Sequence, residues 1–482
     1  MSALTQRALP QLAGMRILVL NWRDVRHPES GGAENYLHET TRRFVAAGAH
    51  VTLLTARPPG QPAREQIDGV DVHRAGGTLT VYLCAAWRML RTGHRYDVVV
   101  DCQNGIPFFA PLFLQASVVQ VVHHVHQDQF ATRFPPVVAA VGRRVEADCA
   151  RWVYRGSRSV AVSASTRQEM RMRLRVDGVI DIVPNGGVPL LQTNRTRAEV
   201  PTVVLVSRLV PHKRVDVLLH AVARVRAALP QLRVEIVGGG PELSALRELS
   251  VRLDLTGVVT LHGRVPDNIR DALLGRAWVT TSTSDGEGWG CSVLEAAAAG
   301  VPCVALDVPG IRDAVLDGRT GRLVAEPGPA AFAAALVAAL TKLADPDRAA
   351  AVAQECQRWA RRFTWDRSAE LLAASVLAAR CDSSRERRTA RSDMTTLAWF
   401  THDDPPAVLA RLRLTDEVAV VGTRMAVILR GCDDLAALAL LEELGAFAVQ
   451  VRTAGRHEVL AGPDIAARPA PDTKTSVPGA CV

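Results

Sequence analysis

Short apolar runs alternate with helical patterns along most of this chain, and the alternation starts afresh once, near residue 200. In the first series RILVLNW (from Arg16), VTLLTA (Val51), YDVVVDC (Tyr96), SVVQVVHH (Ser117) and SVAVSA (Ser159) read as buried strands, and IVPNGG (Ile182) as a last strand and turn. In the second, TVVLVSRL (Thr202), RVEIVGGG (Arg233), VVTLHGRV (Val258), WVTTSTS (Trp278) and PCVALDV (Pro302) do the same. Strand–helix alternation implies parallel sheets covered on both faces, so the fold class is α/β with two doubly wound, Rossmann-like domains in tandem. Such folds bind ligands at the carboxyl ends of their strands, here in a cleft between the two domains.

The boundaries follow from the same pattern. Residues 15–190 form the first domain and 199–360 the second, and 361–380 a closing helix that begins, as a helical pattern, near Arg358. Residues 381–395 (CDSSRERRTARSDMT) are polar and read as a linker, and 396–463 as a small α/β unit. In that unit EVAVVGTRMAVILRG reads as a hairpin, DDLAALALLEELGA as a helix and FAVQVRTAGRHEVLAG as a second hairpin. The tail 464–482 is rich in Pro, Ala and Thr and reads as disordered.

Composition narrows the class of function. The chain lacks a signal-peptide pattern at its start, and its longest apolar stretch, Phe108–Val122, is interrupted by Pro111, Gln115 and Gln120. The nine cysteines show no C-x-x-C spacing, so they read as reduced thiols of a cytoplasmic protein. Residues 1–190 carry +7 of the net +8 charge, which calls for an anionic partner on that half. No nucleic-acid-binding motif accompanies that charge.

The most informative segment is SDGEGWGCSVLEAAAAGVP, Ser284–Pro302. Its spacing predicts a strand end, a glycine-rich turn and a helix starting near Cys291. Gly286, Gly288 and Gly290 let backbone approach a ligand closely, and the first-turn amides at Cys291, Ser292 and Val293 are free to bind phosphate. Glu287 lies in the turn beside Trp289, and Glu295 lies eight residues on; one carboxylate can hold sugar hydroxyls and the other a ribose diol. In VSRLVPHKR, Arg208 follows a strand and Lys213 opens the next helix, so both point into the cleft as diphosphate ligands. Gly31-Gly32 opens the first helix of the first domain, a further anion-accepting N-terminus.

His123, His124 and His126 follow the fourth strand. His123 and His124 should face opposite sides if the strand continues, and no patterned carboxylate joins them, so a hydrogen-bonding or acid/base histidine is expected here instead of a metal site. VGGGPEL (Val237) has Leu243 where a dinucleotide fingerprint needs its last glycine, and is a poor fit to an NAD site.

Together these residues resemble the family-four glycosyltransferases, a retaining group with the GT-B fold, over residues 15–380. Glu287 and Glu295 match the family's E-x7-E motif, Arg208 and Lys213 its phosphate-binding pair, Gly31-Gly32 its N-terminal glycine loop and His123 its strand-end histidine. The resemblance implies that Glu287 contacts the donor sugar, Glu295 the ribose and the amides of Gly290 to Val293 the diphosphate, with Gly288 and Trp289 also at the donor, and that no metal or other cofactor is needed. It implies a nucleotide-sugar donor and a glycan, lipid-linked or small-molecule acceptor held by the first domain. Two other functions fit the same residues: a nucleotide-sugar-binding regulator, and a GT-B relative such as a nucleotide-sugar epimerase. The arginines of the first domain (Arg143, Arg144, Arg151 and Arg155, then Arg167, Arg171, Arg173 and Arg175) read either as a solvated helix face or as a basic surface for an anionic membrane, with the protein peripheral at its inner face.

Overall fold

The computed structural model describes residues 8–133, 135–187, 196–385, 395–412, 417–430 and 434–453. One compact unit runs to Arg385 and a separate one follows it. The second arm of the last expected hairpin, most of the linker and the tail lie outside the described residues.

The first sheet contains β1 (Arg16–Leu20), β2 (His50–Thr55), β3 (Arg64–Ile67), β4 (Val70–Arg74), β5 (Val98–Asn104), β6 (Ser117–His124), β7 (Arg158–Ala161) and β8 (Ile180–Ile182). Its order is β3-β4-β2-β1-β5-β6-β7-β8. The second contains β9 (Thr202–Val206), β10 (Arg233–Val237), β11 (Val259–Gly263), β12 (Val279–Ser282), β13 (Cys303–Leu306) and β14 (Gly321–Val324), in the order β11-β10-β9-β12-β13-β14. Both show the doubly wound reversal, between β1 and β5 and between β9 and β12, and chain segments leaving those strands meet at the same cleft.

The expectation of all-parallel sheets needs one correction. β3 and β4 pair antiparallel at the edge of the first sheet, across a turn in which Asp68 and Gly69 both have positive φ (46° and 82°). This hairpin supports the loop between β1 and the first helix, α1 (Gly32–Ala46). Arg74 on β4 donates to both carboxylate oxygens of Asp24 in that loop, at 2.7 and 3.2 Å, with both side chains buried.

The closing helix also differs from expectation. The helical pattern from Arg358 spans two helices, Pro346–Ala360 and Trp365–Arg385, separated by a break around Phe363. The second returns to the first domain, where Ala369, Leu372, Ala373 and Val376 join the core formed by β1, β5, β6 and α1. Arg43 of α1 holds its start through Asp366 at 2.5 Å.

The separate C-terminal unit is a four-stranded antiparallel sheet of β15 (Thr395–Thr401), β16 (Glu417–Val421), β17 (Arg424–Arg430) and β18 (Phe447–Thr453), in the order β16-β17-β15-β18. With helices Pro405–Arg411 and Asp434–Glu443 the chain runs β-α-β-β-α-β, the split arrangement of ferredoxin-like units. Alternation along β15 sends Ala398 and Phe400 to the helices and Leu397 and Trp399 to the opposite face. β15 begins inside the stretch assigned to a linker.

Candidate active site

Backbone sterics shape the cleft before any side chain does. A Cβ on Gly288 would overlap the His123 carbonyl oxygen, so only glycine lets the β12 loop lie against the end of β6. Gly238 and Gly240 (φ 140° and 159°) likewise lie against the carbonyls of Ser207 and Leu209. The VGGG turn thus backs the loop that carries Arg208, through Ser207 N–H to the Val237 carbonyl (3.0 Å) and Leu209 N–H to the Gly239 carbonyl (2.9 Å). Its glycines serve packing, in keeping with the poor match to a dinucleotide site.

A cavity of about 340 Å³ opens between the sheets, lined among others by Gly31, Gly32, His123, His124, Arg208, Glu287, Gly288 and Cys291. The helix Cys291–Ala298 starts at its wall, and Gly31 caps α1 across from it, its amide donating to Glu34 Oε2 at 2.7 Å. Asn185 ties the two helix starts together, donating from Nδ2 to Cys291 Sγ at 3.2 Å and to the Gly32 carbonyl at 3.4 Å.

Lys213 lies on the short turn Pro211–Lys213 just before the helix Val215–Val225, and its ammonium pairs with Glu287. Glu287 also accepts from Ser284 Oγ at 2.8 Å. Burial alone would push the Glu287 carboxyl up, but Lys213 and the Ser284 hydroxyl outweigh it and hold the pKa below the ordinary value. Arg208, two residues past β9, is exposed in the cleft, and its side chain makes no hydrogen bond or ion pair among the described residues. One cation is thus engaged with a carboxylate and the other is available to a ligand.

His123 and His124 do face opposite ways. His123 packs edge-on to Tyr36 of α1, with ring centroids 5.0 Å apart, while His124 lies by Gly286 and His126. Burial lowers the His123 pKa to about 4, so its ring is neutral at physiological pH. His123 Nε2, His124 Nδ1 and Asn185 Oδ1 are buried at this cavity without partners among the described residues. Three orphaned polar atoms on residues lining one cavity are what a polar ligand would satisfy. Among the described residues no three His, Cys, Asp or Glu side chains are grouped to hold a metal ion.

Not every expected residue reaches the cavity. The Trp289 indole borders the cavity but is mostly core, packed edge-on to Phe363 at 5.1 Å, while the Val293 side chain is buried and does not line it. Gly290, Ser292 and Val293 stand at the helix's start and first turn, and Glu295 sits one turn on. Burial raises the Glu295 pKa, with Arg270 opposing. On the other wall Trp22, Leu79, Tyr82, Asn104, Ile106 and Phe130 line the cavity without having been expected there. Most of them follow β1, β4 and β5, so their signal was position after a strand, not residue type. Among the arginines of the second group, Arg167 and Arg171 are buried and Arg173 pairs with Asp128 at 2.7 Å, so of the four expected at a basic surface Arg175 alone is exposed.

Glu146 anchors the floor of the histidine segment. It is buried on a π-helical turn, Val145–Cys149, and accepts the His126 amide and Gln127 Nε2, each at 2.7 Å. Burial outweighs these bonds and pushes its pKa up to about 7. A carboxyl raised in this way binds its proton more tightly folded than unfolded. Its contribution to stability is therefore complete below the ordinary glutamate value and is lost as pH rises through about 7. Measured by urea unfolding between pH 5 and 8, stability in Glu146→Gln should rise more, or fall less, with pH than in the wild type, by on the order of 2–3 kcal/mol across that range; buried His123, whose lowered pKa acts in the opposite direction, contributes equally to both proteins. An unchanged slope in the variant would show that Glu146 is not the group responsible.

Comparison with known proteins agrees with this geometry. Residues 30–187 match the family described as Glycosyltransferase Family 4, and residues 191–355 that described as Glycosyl transferases group 1. A D-inositol 3-phosphate glycosyltransferase of Thermobispora bispora is 35% identical, covering 72% of this chain and 89% of that relative. A GDP-mannose-dependent alpha-(1-6)-phosphatidylinositol monomannoside mannosyltransferase of Mycolicibacterium smegmatis is 29% identical, covering 69% and 91%. Among solved structures, sucrose-phosphate synthase from Thermosynechococcus elongatus superposes with a TM-score of 0.64 at 19% identity, over 77% of this chain and all of that one. Anabaena HepE, solved with UDP and glucose, does so at 0.58 and 21%, over 76% of this chain and all of that one. The two facing doubly wound sheets and these matches together make the chain a GT-B glycosyltransferase, a member of the group 1, family-four glycosyltransferases.

Proposed function

We propose that the protein transfers a sugar from a nucleotide-sugar donor, with retention of anomeric configuration and without a metal ion. The observation that supports this most is the convergence, at the reversal points of two facing sheets, of a free arginine, a Lys213–Glu287 pair and a glycine-bordered helix start. The diphosphate is assigned to the amides at Cys291–Val293 with Arg208 and Lys213, which stabilise negative charge as the nucleoside diphosphate leaves. Glu287 is assigned to donor sugar hydroxyls, Glu295 to the ribose, and neutral His123 to a hydrogen bond near the reacting sugar. Gly31 and Gly32 leave room for the donor's phosphates against α1. The acceptor, a glycan or lipid-linked molecule, is assigned to the apolar wall of Trp22, Leu79, Tyr82, Ile106 and Phe130.

The basic first domain is assigned to an anionic membrane surface, at which the enzyme is peripheral. Among the described residues no helix is long and apolar enough to cross a membrane. Of the expected arginines, Arg144 and Arg155 are exposed, Arg143 is half-buried and Arg151 pairs with Asp177 at 2.8 Å.

A thermal-shift screen with UDP-, GDP- and ADP-sugars identifies the donor, because a bound donor raises stability with the logarithm of its concentration over Kd. Transfer from that donor should then continue undiminished in EDTA, since cationic side chains and helix amides supply the positive charge. Loss of turnover on chelation, restored by magnesium or manganese, would overturn the metal-free assignment.

A further inference from the structure

The helix α2 (Val81–Thr92) is apolar on two sides. Val81, Ala85 and Met89 are buried against the first sheet, as a covering helix requires. On the opposite side Leu83, Trp87 and Leu90 are 72%, 57% and 66% exposed, where a surface helix ordinarily carries polar residues. Leu79, just before the helix and 78% exposed, continues this ridge to the cleft, whose wall it also lines with Tyr82.

The charge around the ridge has one sign. No Asp or Glu occurs from Val72 through Tyr96, while Arg91 and Arg95 do and are exposed; Arg88 turns to the sheet side of the helix. The Arg91 guanidinium lies over the Trp87 ring, 4.0 Å from its centroid. Ala150 and Tyr154 belong to the same buried cluster as Val81, Ala85 and Met89, so the chain around them covers the same side of the sheet; there Trp152 and Arg155 are exposed. Acids accompany that second segment, Asp148 and Asp177 bordering one cavity with Trp152 and Arg155, but none occurs on α2, where Trp with Arg beside an apolar stripe is the composition of a helix lying in the interface of an anionic bilayer.

We propose that α2 is the element by which the protein seats on an anionic phospholipid bilayer, with Leu83, Trp87 and Leu90 in the headgroup–acyl boundary and the exposed Arg91 and Arg95 on lipid phosphates. The inference rests on the reading of the first domain as the acceptor side at a membrane, and it adds the docking element. Because Leu79 belongs to both ridge and cleft, docking through α2 brings the acceptor wall to the lipid surface, where a lipid-linked acceptor presents its head.

Co-sedimentation of the full chain with vesicles tests it. Binding is expected with equal parts phosphatidylcholine and phosphatidylglycerol, much less with phosphatidylcholine alone, and less with added salt. The double variant Leu83→Ser/Trp87→Ser should lower partitioning more than about tenfold, and Arg91→Gln/Arg95→Gln roughly tenfold on the anionic vesicles. All four residues lie at or near the surface, and equal melting temperatures confirm that the variants are folded. Indifference to lipid charge, or to these substitutions, overturns the proposal. So does conversion of a dimer to a monomer by Leu83→Ser/Trp87→Ser with no change in vesicle binding, which would make the ridge a contact between copies. Vesicle binding needs no sugar donor, so its failure is distinct from a failure of sugar transfer.

Discussion

Arg208→Ala is expected to slow sugar transfer by roughly two to three orders of magnitude, a loss of about 2.7–4 kcal/mol of transition-state stabilisation, while leaving the fold intact. The side chain is exposed and makes no hydrogen bond or ion pair among the described residues, so removing it strands no partner. Its loop is held independently, by the Ser207 and Leu209 amides on the VGGG turn. Lys213→Ala should slow transfer by a similar factor but with a different signature. It leaves the Glu287 carboxylate with Ser284 and without its cation, so the Glu287 pKa rises and the protein also loses stability. Steady-state kinetics beside urea unfolding separates the two effects. Near-normal turnover in folded Arg208→Ala would remove that residue from the charge-stabilising role. Unchanged stability in Lys213→Ala would mean that the Glu287 pair contributes little.

The readable part of this protein was the part written in strand ends. Glu287, Arg208 and Lys213 could be located because each directly follows an apolar run, and doubly wound sheets bring such positions together whatever the intervening sequence does. Trp289 sits in the same segment, yet spacing alone could not say that Phe363, seventy-four residues on, would take its ring into the core. Arg167 and Arg171 counted as surface charge because composition assigns every arginine to water; both are buried, and Arg171 reaches the Val176 carbonyl at 2.6 Å. The edge hairpin of β3 and β4 was missed for another reason. REQIDGVDVHR has little apolar content because it lies at a sheet edge, although Asp68-Gly69 is a recognised two-residue hairpin turn. β14 (GRLV) is four residues long and too short to show a period.

That hairpin carries the second large expected effect. Arg74→Met should destabilise the protein by about 3–5 kcal/mol, because it leaves Asp24 buried without its cation. Both side chains are almost fully enclosed, and the contact is bidentate, so water cannot readily replace the guanidinium. Glu65 on β3 also pairs with Arg74, at 2.9 Å, and with Arg26 of the same loop, so the arginine holds the hairpin and the loop together. The loop runs into Gly31 and Gly32, and a loosened loop should therefore weaken donor binding as well as the fold. Replacing both members, Arg74→Met with Asp24→Leu, removes the stranded charge and should recover much of the lost stability. Donor affinity would separate the two roles. If the double variant regains its unfolding midpoint but not its affinity, the ion pair sets the position of the glycine loop; if both return, it served the fold alone. A single Arg74→Met variant with unchanged urea midpoint would show that Asp24 finds another partner or takes up a proton at little cost.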